Sequence, residues 1–152
     1  MPTRSDLRAA HVLVPLHREK SRHVTVMARL AGKPARLVVD TGAGGTVIDS
    51  AALARFGLTL SGASRKGGGV GSSAMQLKYV GQHDLSLAGI DLSAIKLLSM
   101  DLSQVNVGFA RAKVAPIVGV IGADVLWSCA AMLDYAKGVM LLSQHSRSKQ
   151  AG

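Results

Sequence analysis

The residue whose setting most suggests chemistry is Asp40. In LVVDTGAGGTVIDS, residues 37–50, three apolar residues run straight into this aspartate, and Thr41, Gly42, Ala43, Gly44 and Gly45 follow before apolar residues resume. A carboxylate at the mouth of a buried strand must be hydrated, paired, or held partly protonated. Thr41 is a compact hydrogen-bonding residue, and Gly42 permits a tight turn while leaving backbone N–H groups open. Ala43, Gly44 and Gly45 carry almost no side chain, so another backbone or another subunit can come close. The chemistry that fits is acid–base work by a carboxylate packed against a partner, with room for a chain to lie across it.

Other candidates carry less. Asp124 reads as a first-turn helix residue favoured by the helix dipole, and Asp134 as a hairpin residue. Gly69-Val70-Gly71-Ser72-Ser73-Ala74 formally fits G-x-G-x-x-A, with Asp91 some twenty residues on. A dinucleotide site needs an apolar strand before that motif and a helix after it; here Ser64-Arg65-Lys66 precede and an alternating run follows. His11, His17, His23, His83 and His145 are scattered without metal-ligand spacing relative to one another or to Cys129. Ser72 and Ser73 lack the G-x-S-x-G setting of an activated nucleophile. No metal site and no cofactor is expected.

Elements must deliver Asp40 to its place. Alternation over His23–Leu30 predicts a strand, Gly32-Lys33-Pro34 a turn, and Ala35–Val39 a second strand with Asp40 at its far end. Thr46-Val47-Ile48 resumes extended structure. Asp49 or Ser50 can cap a short helix, Ala51–Phe56, that Gly57 stops. Residues 64–80 read as a glycine-rich turn followed by a strand in which Met75, Leu77 and Tyr79 share a face. Two further alternating runs, His83–Leu87 and Leu92–Leu98, flank Ala88-Gly89. Ser99–Ala115 has weak periodicity and reads as containing a loop. Pro116–Leu126 reads as an apolar strand entering Gly122 and then a short helix. Ala130–Tyr135 and Val139–Leu142 form a hairpin around Ala136-Lys137-Gly138. Trp127 and Phe56 are expected in the core, and Cys129 as a packed thiol. Many short strands, two short helices and glycine-rich turns make the chain mainly β, barrel-like or a folded sandwich.

At 152 residues the chain suits one domain. Its net charge of +9 is unevenly spread. Residues 1–36 hold eight Lys or Arg against Asp6 and Glu19, and the tail adds Arg147 and Lys149, while residues 37–142 nearly balance. The excess therefore reads as solvated basic ends: an arm over 1–22 and a tail over 143–152 around a domain at 23–142. No recognition helix or zinc-finger spacing points to a specific nucleic acid; at most the arm makes a weak contact with nucleic acid or an anionic membrane. No apolar run reaches the roughly 18–20 residues of a membrane helix, and residues 1–23 are too polar for a signal peptide. Cytoplasmic location is the expectation.

Leu37-Val38-Val39-Asp40-Thr41-Gly42-Ala43 followed by Thr46-Val47-Ile48 resembles the active-site motif of the retropepsin-like aspartic proteases. Val120-Ile121-Gly122 before a helix resembles that family's second signature, and residues 133–142 resemble the closing hairpin of its bacterial single-domain members. The order of elements is kept from about His23 to Leu142. The resemblance implies the acid protease fold: a closed, barrel-like β domain with short helices and a flap hairpin. It also implies a homodimeric endopeptidase that acts on a polypeptide substrate. Asp40, Thr41 and Gly42 of each copy would be catalytic. Two Asp40 carboxylates would share a proton and activate a water, with Thr41 bonding across the dimer and Gly42 contacting substrate backbone. Ala43 and Gly44, together with the flap residues Gly67, Gly68, Gly69, Val70 and Gly71, would bind the substrate, and Val120, Ile121 and Gly122 would pack beneath the aspartate loop. The family usually carries Ser, Asn or Asp where this chain has Gly44. The rival reading is a non-catalytic peptide-binding or assembly module of the same fold.

Overall fold

The computed structural model describes residues 10–66 and 76–144, and there most of the alternating runs become strands. Within the stretch read as an arm, Ala10–Pro15 (β1) and His17–Arg18 (β2) are strands. Val24–Leu30 (β3) buries Val24, Val26, Ala28 and Leu30 and exposes Met27 and Arg29. It pairs antiparallel with Lys33–Val39 (β4). Ala31 and Gly32 form the turn, both at positive φ, the geometry a two-residue hairpin requires. That turn falls one residue before the Gly32-Lys33-Pro34 expectation.

Val47–Asp49 (β5) leads into two 3₁₀ turns, Ser50–Ala52 and Ala54–Phe56, in place of one short helix. Asp49 caps the first by accepting from the Ala51 N–H at 3.2 Å, and Gly57 ends the second at φ 62°. Leu60–Lys66 (β6) and Gln76–Val80 (β7) pair antiparallel up to Lys66↔Gln76. Ser86–Leu87 (β8) and Ile90–Asp91 (β9) close around Ala88-Gly89.

The expected strand over Leu92–Leu98 is not formed. Asp91 accepts from the Ser93 N–H and Leu92 from the Ile95 N–H, so this segment turns, and extended pairing starts only at Leu98–Met100 (β10). Ser99–Ala115, read as containing a loop, does hold irregular structure from Ala112 onward, but it also contains a helix that weak periodicity did not show, Ser103–Arg111 (α1). Val105, Val107 and Gly108 lower its intrinsic propensity, and Leu102 gives it no side-chain cap. Burial of Leu102 and Phe109, seven residues apart on one face, offsets that weakness. The remaining elements are Gly119–Ile121 (β11), Ala123–Ser128 (α2), Met132–Asp134 (β12) and Val139–Gln144 (β13).

These strands make two sheets. The small one has the order β1-β13-β12, wholly antiparallel. The large one runs β6-β7-β10-β5-β11-β4-β3-β8-β9, with β2 added beside β3. Neither closes into a barrel: the large sheet ends at β6 on one side and at the two-residue β9 on the other. Alternating hydrophobicity identifies half-buried strands but does not say whether the outermost two meet.

The main core gathers Leu30, Leu37, Ile48, Ile121, Val125, Met140 and Leu142. A smaller one holds Val38, Leu102, Phe109, Val114 and Ile117. Leu37 and Val38 are consecutive on β4 and point to opposite faces, so α1 covers the face that the main core leaves. Phe56 and Cys129 are buried as expected, but Trp127 is 85% exposed at the end of α2, whose buried residues are Val125 and Leu126. Among the described residues no helix is long and apolar enough to cross a membrane.

Candidate active site

Strand order decides where Asp40 goes. β4 and β5 both flank β11, parallel on one side through Val39↔Ile121 and antiparallel on the other through Ile48↔Gly119. The loop joining them, residues 40–46, must therefore cross the end of β11. It is anchored there by backbone bonds: the Asp40 N–H donates to the Ile121 carbonyl at 3.0 Å, and the Ala123 N–H to the Ala43 carbonyl at 2.7 Å.

Contact between loop and strand end is close enough to require glycine. A Cβ on Gly122 would lie 2.5 Å from the Gly45 carbonyl oxygen and 2.8 Å from that of Ala43. Thus Val120, Ile121 and Gly122 lie against the aspartate loop, Val120 pairing with Val38 and Ile121 with Val39.

A polar relay beneath the loop completes the anchoring. Thr46 is fully buried. Its hydroxyl donates to Asp124 Oδ1 at 2.7 Å and accepts from the Gly122 N–H at 3.1 Å, while its own N–H donates to Asp124 Oδ2 at 3.0 Å. Asp124 Oδ1 also accepts from the Val125 N–H at 2.8 Å. Asp124 does stand in the first turn of α2, but its carboxylate also bonds a residue 78 positions earlier. Neither sequence spacing nor motif pointed to that partnership, which joins residues 78 positions apart.

On this platform Asp40 is exposed. Its Oδ1 accepts from the Gly42 N–H at 2.8 Å and its backbone carbonyl from the Ala43 N–H at 3.2 Å; Oδ2 accepts no bond among the described residues. The carboxylate is oriented from one side and open on the other. Thr41 and Gly42 are exposed beside it, and Ala43 is half-buried. A cleft of about 280 Å³ adjoins the loop, lined by Gly44, Gly45, Tyr79, Ile95, Lys96 and Leu98 and bordered by Asp124. Gly44 faces open space, since a Cβ there would meet nothing within 4 Å. Gly67, Gly68, Gly69, Val70 and Gly71, expected to form a flap, lie outside the described residues, as does Met75.

The remaining candidates take structural places. The Asp134 carboxylate accepts from the Lys137 N–H in the closing hairpin. His83 contacts the Ile95 carbonyl at 2.8 Å, His23 stacks edge-on against Phe109, and His11 meets Ser143. No three His, Cys, Asp or Glu gather into a metal-binding group among the described residues. Two buried polar sites lie away from the loop. Glu19 accepts from Thr25 and pairs with Arg36. Asp49 accepts from the Leu102 N–H and from Asn106 of α1.

Comparison with known proteins agrees with this architecture. The profile of the aspartyl protease family matches residues 26–125, a span that contains the loop, the strand end beneath it and Asp124. The crystal structure of a retropepsin-like aspartic protease from Rickettsia conorii is 14% identical, with a TM-score of 0.55, covering 89% of this chain and 91% of that one. The EIAV protease in complex with the inhibitor HBY-793 is 20% identical, with a TM-score of 0.45, covering 72% and 90%. A sequence comparison with curated proteins gives no match.

Proposed function

The chain belongs to the aspartyl protease family, and on that premise we propose that it is an endopeptidase whose catalytic unit is two copies of Asp40 brought together in a homodimer. The observation that carries this reading is the Asp40 carboxylate: exposed, fixed on one edge by the Gly42 N–H, and held on a loop pinned at Ile121, Ala123 and Thr46. One chain supplies one such carboxylate, and a two-fold axis beside it supplies the second.

Two carboxylates at short range cannot both ionise, so they titrate as a pair and hold one proton between them. The ionised member takes a proton from a water that attacks the scissile carbonyl. The protonated member donates to the developing oxyanion. Anchoring of the loop keeps both oxygens in register for these transfers, so little reorganisation accompanies the step. Thr41 bonds across the dimer and Gly42 meets the substrate backbone. Ala43, Gly44 and the segment Gly67–Gly71 hold an extended peptide by strand-like hydrogen bonds. The cleft beside Gly44 and Gly45, with walls from Tyr79, Ile95 and Leu98, receives one substrate side chain.

A second reading keeps the fold without the reaction. It is favoured by Gly44, which offers the loop no polar side chain where the family usually has one. Incubation with a mixed peptide library separates the two. The peptidase reading expects cleavage that Asp40→Asn lowers by roughly 10²–10⁴-fold while the melting transition is kept. Equal cleavage by the variant, or none by either protein, contradicts it.

A further inference from the structure

The cleft beside the aspartate loop carries two side chains of opposite charge, Lys96 and Asp124. Only one of them is already partnered. Asp124 accepts from the Thr46 hydroxyl at 2.7 Å, the Thr46 N–H at 3.0 Å and the Val125 N–H at 2.8 Å. Among the described residues Lys96 takes part in no ion pair and its ammonium donates no hydrogen bond. It is exposed, and the walls beside it are Ile95, Leu98 and the half-buried Tyr79.

The place from which Lys96 reaches is fixed on both sides. The Ile95 carbonyl meets His83 Nε2 at 2.8 Å, the Leu97 carbonyl accepts from the Val80 N–H at 2.9 Å, and the Leu98 N–H donates to the Thr46 carbonyl at 3.0 Å. Lys96 thus stands two residues from a direct bond to the end of the aspartate loop. Leu98 also pairs with Tyr79 across β10 and β7, so these two side chains make one wall.

We infer that Lys96 is a specificity-determining residue, which selects peptides that place an acidic side chain, Asp or Glu, in this cleft. The inference rests on the peptidase reading above and names the substrate class of that site. A peptide laid across the loop displaces water from the cleft, and an ammonium that loses water without gaining an acceptor is penalised. An acidic side chain supplies the acceptor. A neutral one leaves Lys96 unmet. A basic one meets like charge, and finds in Asp124 a carboxylate that already accepts three bonds. Discrimination therefore comes from the rejected partners as much as from the accepted one.

Matched peptides that differ only by Glu, Gln or Lys at one position, taken through each position in turn, test this on the full chain. Cleavage is read as kcat/KM, and binding of the same peptides is read with the Asp40→Asn form of each protein. At one position wild type should favour Glu over Gln about fivefold, the size of an ion pair that solvent still reaches, and use Lys least. Raising salt from about 0.05 M to about 0.5 M should shrink that preference. Lys96→Met keeps the apolar stem and should bring Glu and Gln level, and Lys96→Glu should turn the preference toward Lys. Each comparison is made within one protein, so a general loss of activity cancels. Lys20→Met removes the same charge from an exposed residue that does not line the cleft. It should keep the wild-type preference, which separates Lys96 from the net charge of +9.

Equal use of Glu and Gln at every position by wild type, or a preference that Lys96→Met leaves intact, overturns the inference. So does an equal loss in Lys20→Met, since overall charge then attracts the peptide. The peptidase reading fails separately. Selective binding of the Glu peptide that Lys96→Met abolishes, without cleavage by wild type, leaves the cleft assigned and removes the reaction. Cleavage that needs Asp40 but ignores the peptide's charge does the reverse, and a chain that neither binds nor cleaves any of the peptides removes both.

Discussion

Thr46, the last residue of the aspartate loop, is tied to α2 by two bonds to the Asp124 carboxylate, one from its N–H and one from its hydroxyl. Replacing Asp124 with Ala would leave the buried Thr46 N–H and hydroxyl without their acceptor. The cost of such unmet groups is about 1–3 kcal/mol, so a denaturant titration should read a loss of that size, and cleavage should fall further than the folded fraction. Gly122→Ala should be worse for a different reason, since the clash is with backbone carbonyls that cannot turn away; a loss of roughly 1–3 kcal/mol or more is expected. Gly44 is the opposite case. A side chain there meets open space, so Gly44→Ser should change stability by no more than about 0.5 kcal/mol while altering turnover or peptide preference through the adjoining cleft. Asp40 and Gly122 were legible in the sequence because local chemistry, a carboxylate at a strand end and a glycine before a helix, marks each. The pairing of Thr46 with Asp124 was not, because it exists only once β11 lies between β4 and β5.

At the scale of elements, the hairpin β3–β4, the strand β11 entering α2 and the closing hairpin β12–β13 follow directly from alternation and turn residues. Helix α1 does not. Its helical spacing rests on two buried residues, Leu102 and Phe109, with β-branched residues and a glycine between them, and tertiary burial decided the outcome. Asn106 then gives α1 a positioning role: its side chain donates to the Ile117 carbonyl at 3.1 Å and accepts from the Ile117 N–H at 2.9 Å. Asn106→Leu should cost about 1–3 kcal/mol and loosen the entry to β11, measurable as faster amide exchange at Ile117–Gly119. The start of α1 also carries a pH dependence. The Ser103 N–H, and then its hydroxyl, hold the Asp101 carboxyl below the usual carboxylate value. A carboxyl whose value is lower when folded adds stability above its unfolded value, about pH 4, and loses it as the pH falls further. The stability difference between wild type and Asp101→Ala should therefore shrink on acidification below that range.

For the whole molecule, the open large sheet and exposed Trp127 share a cause: the pattern of apolar residues says which side chains avoid water, not which surface removes them from it. A tryptophan expected in a core faces solvent in one protomer. Charge acts at this scale too, because each chain carries a net +9 and association of like-charged copies is opposed at long range. Moderate salt, near 0.1 M with a screening length of about 10 Å, should therefore tighten the proposed dimer relative to low salt, as read by sedimentation. In the proposed endopeptidase one active unit takes a carboxylate from each of two chains. Wild type and Asp40→Asn, mixed in varying proportion at constant total concentration and allowed to exchange subunits, measure this. Activity should follow the square of the wild-type fraction, so that an equal mixture keeps about a quarter of the full rate. A rate that falls in simple proportion, keeping about half at equal mixing, would mean that each chain works alone.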